Sequence, residues 1–230
     1  MKNRQNFSIF LLMLIGVFLV SASSVEKDDN DNHNTNTFTD PRDGNVYKTV
    51  TIGNQVWMAE NLRYLPGVVG PATGSATIPY YYVHRYDGTN VTDAKANANY
   101  STYGILYNWQ AAKASCPAGW HLPSDDEWSE LTDYLGDESV AGGKLKESDT
   151  THWTYNNYGA TNETGFTALP GGRRGNGGAF HPSGGGGYWW GATEDSTDSA
   201  WYRRMHYGSS HVYRHSGIKE LGFSVRCVRD

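Results

Sequence analysis

The sequence predicts an α+β fold in which two helices and an antiparallel sheet come from separate parts of the chain. Residues 44–60 alternate apolar and polar side chains on both sides of a Gly-Asn pair, as a β-hairpin does. Residues 104–115 and 124–135 have apolar side chains at helical spacing, and strand-like segments with glycine-rich connections follow them. Because helices and strands are segregated along the chain, the order favours α+β over alternating α/β architecture.

The predicted hairpin turns at Gly53-Asn54. Residues 45–52 alternate with a period of two, and residues 55–59 continue the pattern beyond the corner. Two residues of this type between β-like runs are typical of a primed turn. Ile52 and Val56 flank the turn, so the pattern predicts a paired, half-buried ribbon.

Two helices are predicted in the middle of the chain. The second begins with the capping box Ser124–Glu127, directly after Pro123, and ends at Gly136. The residues at helical spacing are Ile105, Trp109 and Ala112 in the first helix and Trp128, Leu131 and Leu135 in the second. We expect these side chains to form the buried stripes.

The segments on either side of the helices are less regular. Residues 64–103 contain three prolines and the run Tyr80–Tyr82, which predicts a long surface loop. From Gly142 onward the pattern returns to strands and glycine loops. The predicted strands are residues 188–191, 200–202 and 222–228.

The first 39 residues predict export and a tether. Lys2 and Arg4 precede the apolar stretch 7–20, which is shorter than the about 20 residues of a membrane span. Small residues follow, so residues 1–22 are predicted to be a signal peptide cleaved after Ala22. Ala22-Ser23-Ser24 offers a second cleavage site, and an uncleaved anchor is the alternative. Residues 23–39 are predicted to be a disordered linker, because they contain too few apolar side chains to form a core. The domain would then cover residues 40–230.

Charge limits the class of partner. The net charge of −5 becomes −7 when Lys2 and Arg4 leave with the signal peptide. The chain has no basic stripe of the kind that binds phosphates, so nucleic acid is not an expected partner. The prediction is a secreted or cell-envelope protein that is not an integral membrane protein after signal cleavage.

Cys116 and Cys227 are the two cysteines of the chain. In an exported protein the simplest expectation is that they form one disulfide, and two free thiols are the alternative. A disulfide would tie the end of the chain to the helical part.

Four blocks of the sequence resemble, in order, those of the Fibrobacter succinogenes major paralogous domain. They are residues 43–63 (DGNVYKTVTIGNQVWMAENLR), 116–128 (CPAGWHLPSDDEW), 165–174 (GFTALPGGRR) and 222–229 (GFSVRCVR). The resemblance covers about residues 40–230. It implies a C-type-lectin-like fold, with two helices packed on a small twisted antiparallel sheet with long Gly-rich loops. It also implies a secreted or lipid-anchored surface protein of Bacteroidetes or Fibrobacteres.

The resemblance does not give an activity, because sugar binders, protein binders and formylglycine-generating enzymes share this fold. Residues 19–24 contain no lipobox cysteine, so lipid anchoring by that route is not expected. The formylglycine-generating enzymes depend on reactive thiols, whereas both cysteines here are assigned to the disulfide. No nucleophile with a neighbouring base stands out in the sequence, so we do not expect an enzyme.

Metal binding has weak support in the sequence, and no cofactor is expected. Glu194, Asp195 and Asp198 are the candidate ligands for Ca²⁺, but this ion needs about six to eight oxygens, and a solvated acidic loop is the alternative. The spacing of His206, His211 and His215 matches no standard zinc site. The residues between these histidines predict an aromatic, hydrogen-bonding strand pair instead.

The C-terminal third carries an unusual supply of aromatic and arginine side chains, the residue types that binding hot spots use. The residues are Tyr188, Trp189, Trp190, Trp201, Tyr202, Tyr207 and Tyr213, with Arg173, Arg174, Arg203, Arg204 and Arg214. The predicted ligand-binding residues are Arg173, Arg174, His181, Trp189, Trp190 and Trp201. Burial in the core is the alternative for half or more of the aromatic residues.

These predictions together describe a surface binding module. Its expected partner is a glycan or a surface protein. A structural envelope or adhesin component without a small-ligand site is the alternative, and an enzyme related to the formylglycine-generating enzymes is the third hypothesis. If the ligand does not bind in the C-terminal third, residues 64–103 are the next candidate.

Overall fold

The computed structural model describes residues 36–230, in which helices accompany mostly antiparallel sheets, as the α+β prediction requires. The predicted signal peptide and residues 23–35 lie outside the described residues. The strands are β1 (Asn36–Thr39), β2 (Val46–Ile52), β3 (Gln55–Met58), β4 (Tyr81–Tyr82), β5 (Leu106–Tyr107), β6 (Trp120–His121), β7 (Arg173–Arg174), β8 (Phe180–His181), β9 (Gly186–Glu194), β10 (Ser199–His206), β11 (Tyr213–Ile218) and β12 (Val228–Arg229). The helices are α1 (Val91–Ala96), α2 (Ala98–Tyr103), α3 (Trp109–Ser115), α4 (Asp125–Tyr134) and α5 (Glu138–Leu145).

Two sheets organise the described residues. One has five strands in the order β1-β2-β3-β12-β6, so the N-terminal hairpin and the C-terminal strand lie side by side. The other has three strands in the order β11-β10-β9 and is an antiparallel meander. The pairs β4-β5 and β7-β8 are short two-stranded ribbons. The three-stranded sheet carries three of the six residues predicted to bind a ligand, and the β7-β8 ribbon carries the other three.

The hairpin and the capped helix are confirmed. Strands β2 and β3 pair antiparallel, and Gly53 takes φ +60° at the predicted corner. At α4 the Ser124 hydroxyl accepts from the Glu127 amide, and the Glu127 carboxylate accepts from the Ser124 amide. Trp128 and Leu131 are buried, as the apolar stripe predicts.

The prediction of two helices is wrong, because the described residues contain five. The predicted helix at 104–115 begins only at Trp109, where Asn108 caps it by accepting from the Ala111 amide. Leu106–Tyr107 before it forms strand β5. The predicted loop 64–103 contains α1 and α2, whose N-caps are Asn90 and Asn97.

Helix α5 lies where the sequence predicts a return to strands and loops. Its N-cap is Asp137, and its interior contains Gly142 and Gly143. A Cβ at Gly142 would lie 2.5 Å from the carbonyl oxygen of His211, and one at Gly143 would lie 2.3 Å from that of Gly159. Because Gly142 and Gly143 have no side chain, two other segments can approach the helix closely. The sequence pattern predicts loops at these glycines and does not reveal this packing role.

The predicted linker ends too late. Asn36–Thr39 form β1, which pairs with β2, and the Phe38 ring lies 5.3 Å from that of Trp120. The single large apolar residue of this segment thus packs on the domain, and backbone pairing with β2 orders its neighbours. Asn36–Thr39 therefore belong to the folded part, which was predicted to begin at residue 40.

The disulfide is present. Cys116 follows the last residue of α3, and Cys227 precedes β12, with Sγ atoms 2.06 Å and Cα atoms 5.9 Å apart. Cys227 is fully buried. The bond joins α3 to the C-terminal strand of the five-stranded sheet.

His121 connects the start of α4 to the C-terminal residue. Its Nε2 lies 2.7 Å from Glu127 Oε1, and its Nδ1 lies 2.6 Å from Asp230 Oδ1. Burial opposes the imidazolium, but the two carboxylates outweigh burial and raise the pKa of His121. A raised folded-state pKa gives stability that is present below the unfolded pKa and is lost as pH rises through the folded pKa.

We therefore expect His121→Gln to reduce stability most in mild acid. Urea unfolding of the wild type and the variant between pH 5 and pH 9 would measure this difference at each pH. The difference should shrink as pH rises through the folded pKa of His121. A difference that is constant or grows with pH would contradict the ion-pair interpretation.

Candidate functional site

The predicted site residues do not form one site. Trp189, Trp190 and Arg174 are fully buried, so none of them is available to a ligand. Their polar groups are already bonded: Trp189 Nε1 donates to Asn61 Oδ1, Trp190 Nε1 to the Tyr107 carbonyl, and Arg174 Nε to the Pro71 carbonyl. These three predictions are wrong, because these side chains lie on parts of β7 and β9 that other segments cover, and they pack into the core.

Trp201 is separated from the remaining candidates. The Arg214 guanidinium lies 3.4 Å above its ring, and the same guanidinium is bonded to Asp125 at the start of α4. Trp201 therefore belongs to the α4 side of the three-stranded sheet. Arg173 and His181 pair across β7 and β8, and the Arg173 guanidinium lies 5.2 Å from the Tyr188 ring, on the opposite side of the sheet.

That opposite side is a surface of aromatic, imidazole and guanidinium groups, here called the aromatic sheet face. Alternate residues of an antiparallel sheet point to one side, and register aligns Tyr188 with Arg204 and Arg204 with Tyr213. Its residues on the three strands are Tyr188, Tyr202, Arg204, His206, Tyr213 and His215, and it also includes His211, next to Tyr213, and Arg173, next to Tyr188. Tyr202 is nearly buried and supports the others, with its ring 6.2 Å from that of Tyr188 and 5.7 Å from that of His215.

The exposed edge of this face is a row of three rings on and just before β11. The Tyr213 ring lies 5.3 Å from that of His211 and 5.9 Å from that of His215. The interplanar angles are 19° and 10°, so the three rings share one orientation. His211 and His215 are exposed and Tyr213 is half-buried.

A groove of about 440 Å³ lies next to the face. The His206 and Tyr207 rings are 4.3 Å apart, and the Tyr155 ring is 5.9 Å from that of Tyr207. Tyr155 is largely exposed at the rim. Other lining residues are His181, Pro182, Ser183, Tyr188 and Arg204. This volume is in the range of small-ligand sites.

The charge of the face comes from Arg173 and Arg204, whose guanidiniums lie 5.2 and 5.7 Å from the centre of the Tyr188 ring. Burial, and then Arg204, lower the pKa values of His206 and His215. Burial, and then Arg173, lower that of His181. These imidazoles are therefore neutral at pH 7, available both to stack and to exchange hydrogen bonds.

A second cavity, of about 360 Å³, lies between the five-stranded sheet and α2. Several of its polar groups are bonded to the protein itself: His152 Nδ1 lies 2.8 Å from Glu147 Oε1, and Asn61 Oδ1 accepts from Trp189 and Arg226. Burial lowers the pKa of Arg226 to about 9, and its guanidinium donates to backbone carbonyls. We interpret this cavity as a structural polar core.

The candidate metal ligands are not brought together. Glu194 lies 3.3 Å from Lys219 Nζ, and Asp195 accepts from the Ser216 hydroxyl. Between residues 36 and 230, no three His, Cys, Asp or Glu side chains lie close enough together to hold a metal ion. Glu194, Asp195 and Asp198 therefore do not form a metal-binding group. The prediction that His206 and His215 belong to an aromatic strand pair is confirmed by β10 and β11.

Tyr188, Arg204 and Tyr213 belong to the predicted supply of aromatic and arginine side chains but not to the six predicted ligand-binding residues. The period-two spacing of Tyr202, Arg204 and His206, and that of Tyr213 and His215, would have identified one side of a strand pair.

None of the helices between residues 36 and 230 has the length and apolar composition that a membrane crossing requires.

The comparison with known families gives one match. The model of the Fibrobacter succinogenes major domain matches residues 50–229. No curated protein matches the sequence, and no solved structure matches it.

Proposed function

The chain belongs to the Fibrobacter succinogenes major domain family, as its four sequence blocks predict, and from this premise we propose that it is an exported, surface-associated binding module. Its ligand, a glycan or a partner protein, would bind on the aromatic sheet face. The observation that carries the proposal is the exposed row of similarly oriented rings at His211, Tyr213 and His215.

Physical chemistry supports a binding role for this face. Exposed aromatic rings supply apolar area and lose little side-chain entropy on binding, whereas arginine adds directional donors. The rings rest on Tyr202 and on a sheet fixed from behind by Asp125, so the binding groups are held in place before a ligand arrives. Preorganisation of this kind raises affinity.

We also propose a C-type-lectin-like fold and a non-enzymatic role. Family membership supports the fold, as does the meeting of the N-terminal hairpin and the last strand in one sheet. A non-enzymatic role is supported by the engagement of both cysteines in the disulfide. The contact chain Ser124–Glu127–His121 is a helix cap, in which the Ser124 hydroxyl donates to the Glu127 carboxylate and not to the His121 imidazole.

A structural role in an assembly is the second candidate. It is favoured by β11, which is an edge strand of six residues and is largely exposed. Edge strands can pair with a strand of another chain. Size-exclusion chromatography distinguishes the two, because only the assembly hypothesis predicts concentration-dependent multimers that a proline at Ser216 would disrupt.

We expect Tyr213→Ala to weaken binding to glycans at least about 10-fold, since hot-spot aromatic residues contribute most of the affinity of a site. A glycan array with the purified protein, in the presence and absence of calcium, identifies the ligand for affinity measurements. Tyr134→Ala, at an exposed tyrosine of α4, is the matched control and should bind normally. Unchanged binding of the Tyr213 variant would place the site elsewhere.

A further inference from the structure

Arg173 and Arg204 differ from the other inward-lying arginines of the described residues. Arg174, Arg203 and Arg226 donate to carboxylates or backbone carbonyls. Between residues 36 and 230, neither Arg173 nor Arg204 forms an ion pair or donates a side-chain hydrogen bond, whereas Arg203, whose Nε also lacks an acceptor, is bonded to Asp125 through Nη1. The terminal nitrogens of these two partly exposed guanidiniums therefore have no acceptor among the described residues, and they are free to donate to a ligand that supplies one.

The two guanidiniums converge on one ring. The Arg173 Cζ lies 5.2 Å and the Arg204 Cζ 5.7 Å from the centre of Tyr188, and the Arg204 Cζ lies 5.9 Å from that of Tyr213. Two like charges held near one aromatic side chain repel each other unless an anion lies between or beside them. This concentration of positive charge is notable in a chain with a net charge of −5.

We propose that Arg173 and Arg204 bind the acidic groups of an anionic polysaccharide whose sugar rings contact the row His211, Tyr213 and His215. This inference rests on the proposed binding function and specifies its ligand. Arginine presents a planar fork of donors that matches a carboxylate or a sulfate. The groove beside Tyr188 has room for one sugar unit, and the similarly oriented rings follow a strand, as a ligand with repeated flat rings requires.

An acidic polysaccharide explains the face better than an acidic peptide does. A peptide that added to the edge of β11 would use the backbone groups of the strand and would not need three similarly oriented rings. Sugar rings have flat apolar sides that stack on aromatic rings, while their acidic groups alternate along the polymer within reach of fixed cations. The combination of stacked rings and unpaired guanidiniums therefore favours the polysaccharide.

The test compares the affinity of the purified full-length protein for polygalacturonate, for its neutral methyl ester and for polyglutamate, in EDTA. Sulfated and plain dextran form a second charged and neutral pair that distinguishes sulfate from carboxylate. We expect at least about 10-fold tighter binding to one charged polysaccharide than to its neutral counterpart, weakened by salt. Arg173→Gln with Arg204→Gln should abolish that preference.

The matched control is Lys95→Gln with Arg229→Gln, which removes the same charge from two exposed positions and should keep the preference. The melting temperatures of both double variants should stay near that of the wild type. If the glutamine substitutions disturb folding, Arg173→Lys with Arg204→Lys keeps the charges and should retain part of the preference for the charged polysaccharide. Equal binding to charged and neutral polysaccharides would overturn this inference and leave the binding function standing. Binding to polyglutamate alone would replace the polysaccharide with an acidic protein partner, and binding to none of the probes or array glycans would overturn this inference together with the glycan form of the proposed binding function.

Discussion

Asp125→Ala should destabilise the domain by about 3–5 kcal/mol, the range measured when one partner of a buried ion pair is removed. Asp125 Oδ1 accepts from Arg203 Nη1 at 2.6 Å, and the two carboxylate oxygens accept from Arg214 Nε and Nη2 at 2.9–3.0 Å. Arg203 is fully buried. Without Asp125, its charge would remain in the core with only a backbone carbonyl and the Ser129 hydroxyl as acceptors.

The neighbouring Asp126 provides the control, because it lies in the same first turn of α4 and is exposed. Asp126→Ala should change stability by less than about 1 kcal/mol, as surface substitutions do. Urea unfolding of both variants at pH 7 measures the difference. A loss below about 1 kcal/mol for Asp125→Ala would show that the network contributes little to stability.

The same network predicts an acid dependence with a definite sign. Burial acts to raise the pKa of Asp125, but the hydrogen bonds and charges of Arg214 and Arg203 outweigh it and lower the pKa. For a carboxyl with a lowered folded-state pKa, stability is present above the unfolded pKa and is lost as pH falls through the folded pKa. The difference in the free energy of unfolding between wild type and Asp125→Ala should therefore become smaller as pH falls through the folded-state pKa of Asp125.

The elements that could be predicted from sequence are those that local rules determine. The capping box at Ser124 and the Gly53-Asn54 corner each need only a few neighbouring residues to form. Helix α5 could not be predicted in this way, because Gly142 and Gly143 are poor helix formers and are required by the approach of distant backbone. The N-caps Asn90 and Asn97 are local signals as well, but they lie in a polar segment with several prolines, which predicts a loop instead of helices α1 and α2.

The candidate site was predicted in its region but not in most of its residues. Arg173 and Arg174 are neighbours with the same chemistry, yet the first reaches the aromatic sheet face and the second is buried beneath Tyr82. The difference depends on which side of β7 faces the core, which composition does not reveal. Trp189 and Trp190 are likewise adjacent on a strand, and both are buried because β9 is covered on both sides at these two residues, although Tyr188 beside them reaches the aromatic sheet face. Burial of a strand on two sides is a tertiary property.

Removal of the disulfide should lower the stability of the domain about as much as Asp125→Ala does. Cys116 and Cys227 are 111 residues apart in sequence, and a bond that closes a loop of this length restricts the unfolded chain strongly. We expect Cys116→Ala with Cys227→Ala to lower stability by about 2–5 kcal/mol, the range for native disulfides of small secreted domains. The strands beside Cys227 depend on it, since its carbonyl accepts from the Met58 amide in the five-stranded sheet.

The covalent contribution can be separated from packing. Reduced wild-type protein keeps both sulfur atoms, whereas the double alanine variant also leaves space around the buried Cys227. Urea unfolding of oxidised wild type, reduced wild type and the variant should therefore give a stepwise decrease in stability, with the larger step on reduction. If reduced and oxidised proteins unfold at the same urea concentration, the bond does not stabilise the fold. In that case the hydrogen bonds around β12 alone would hold the C-terminal strand between β3 and β6.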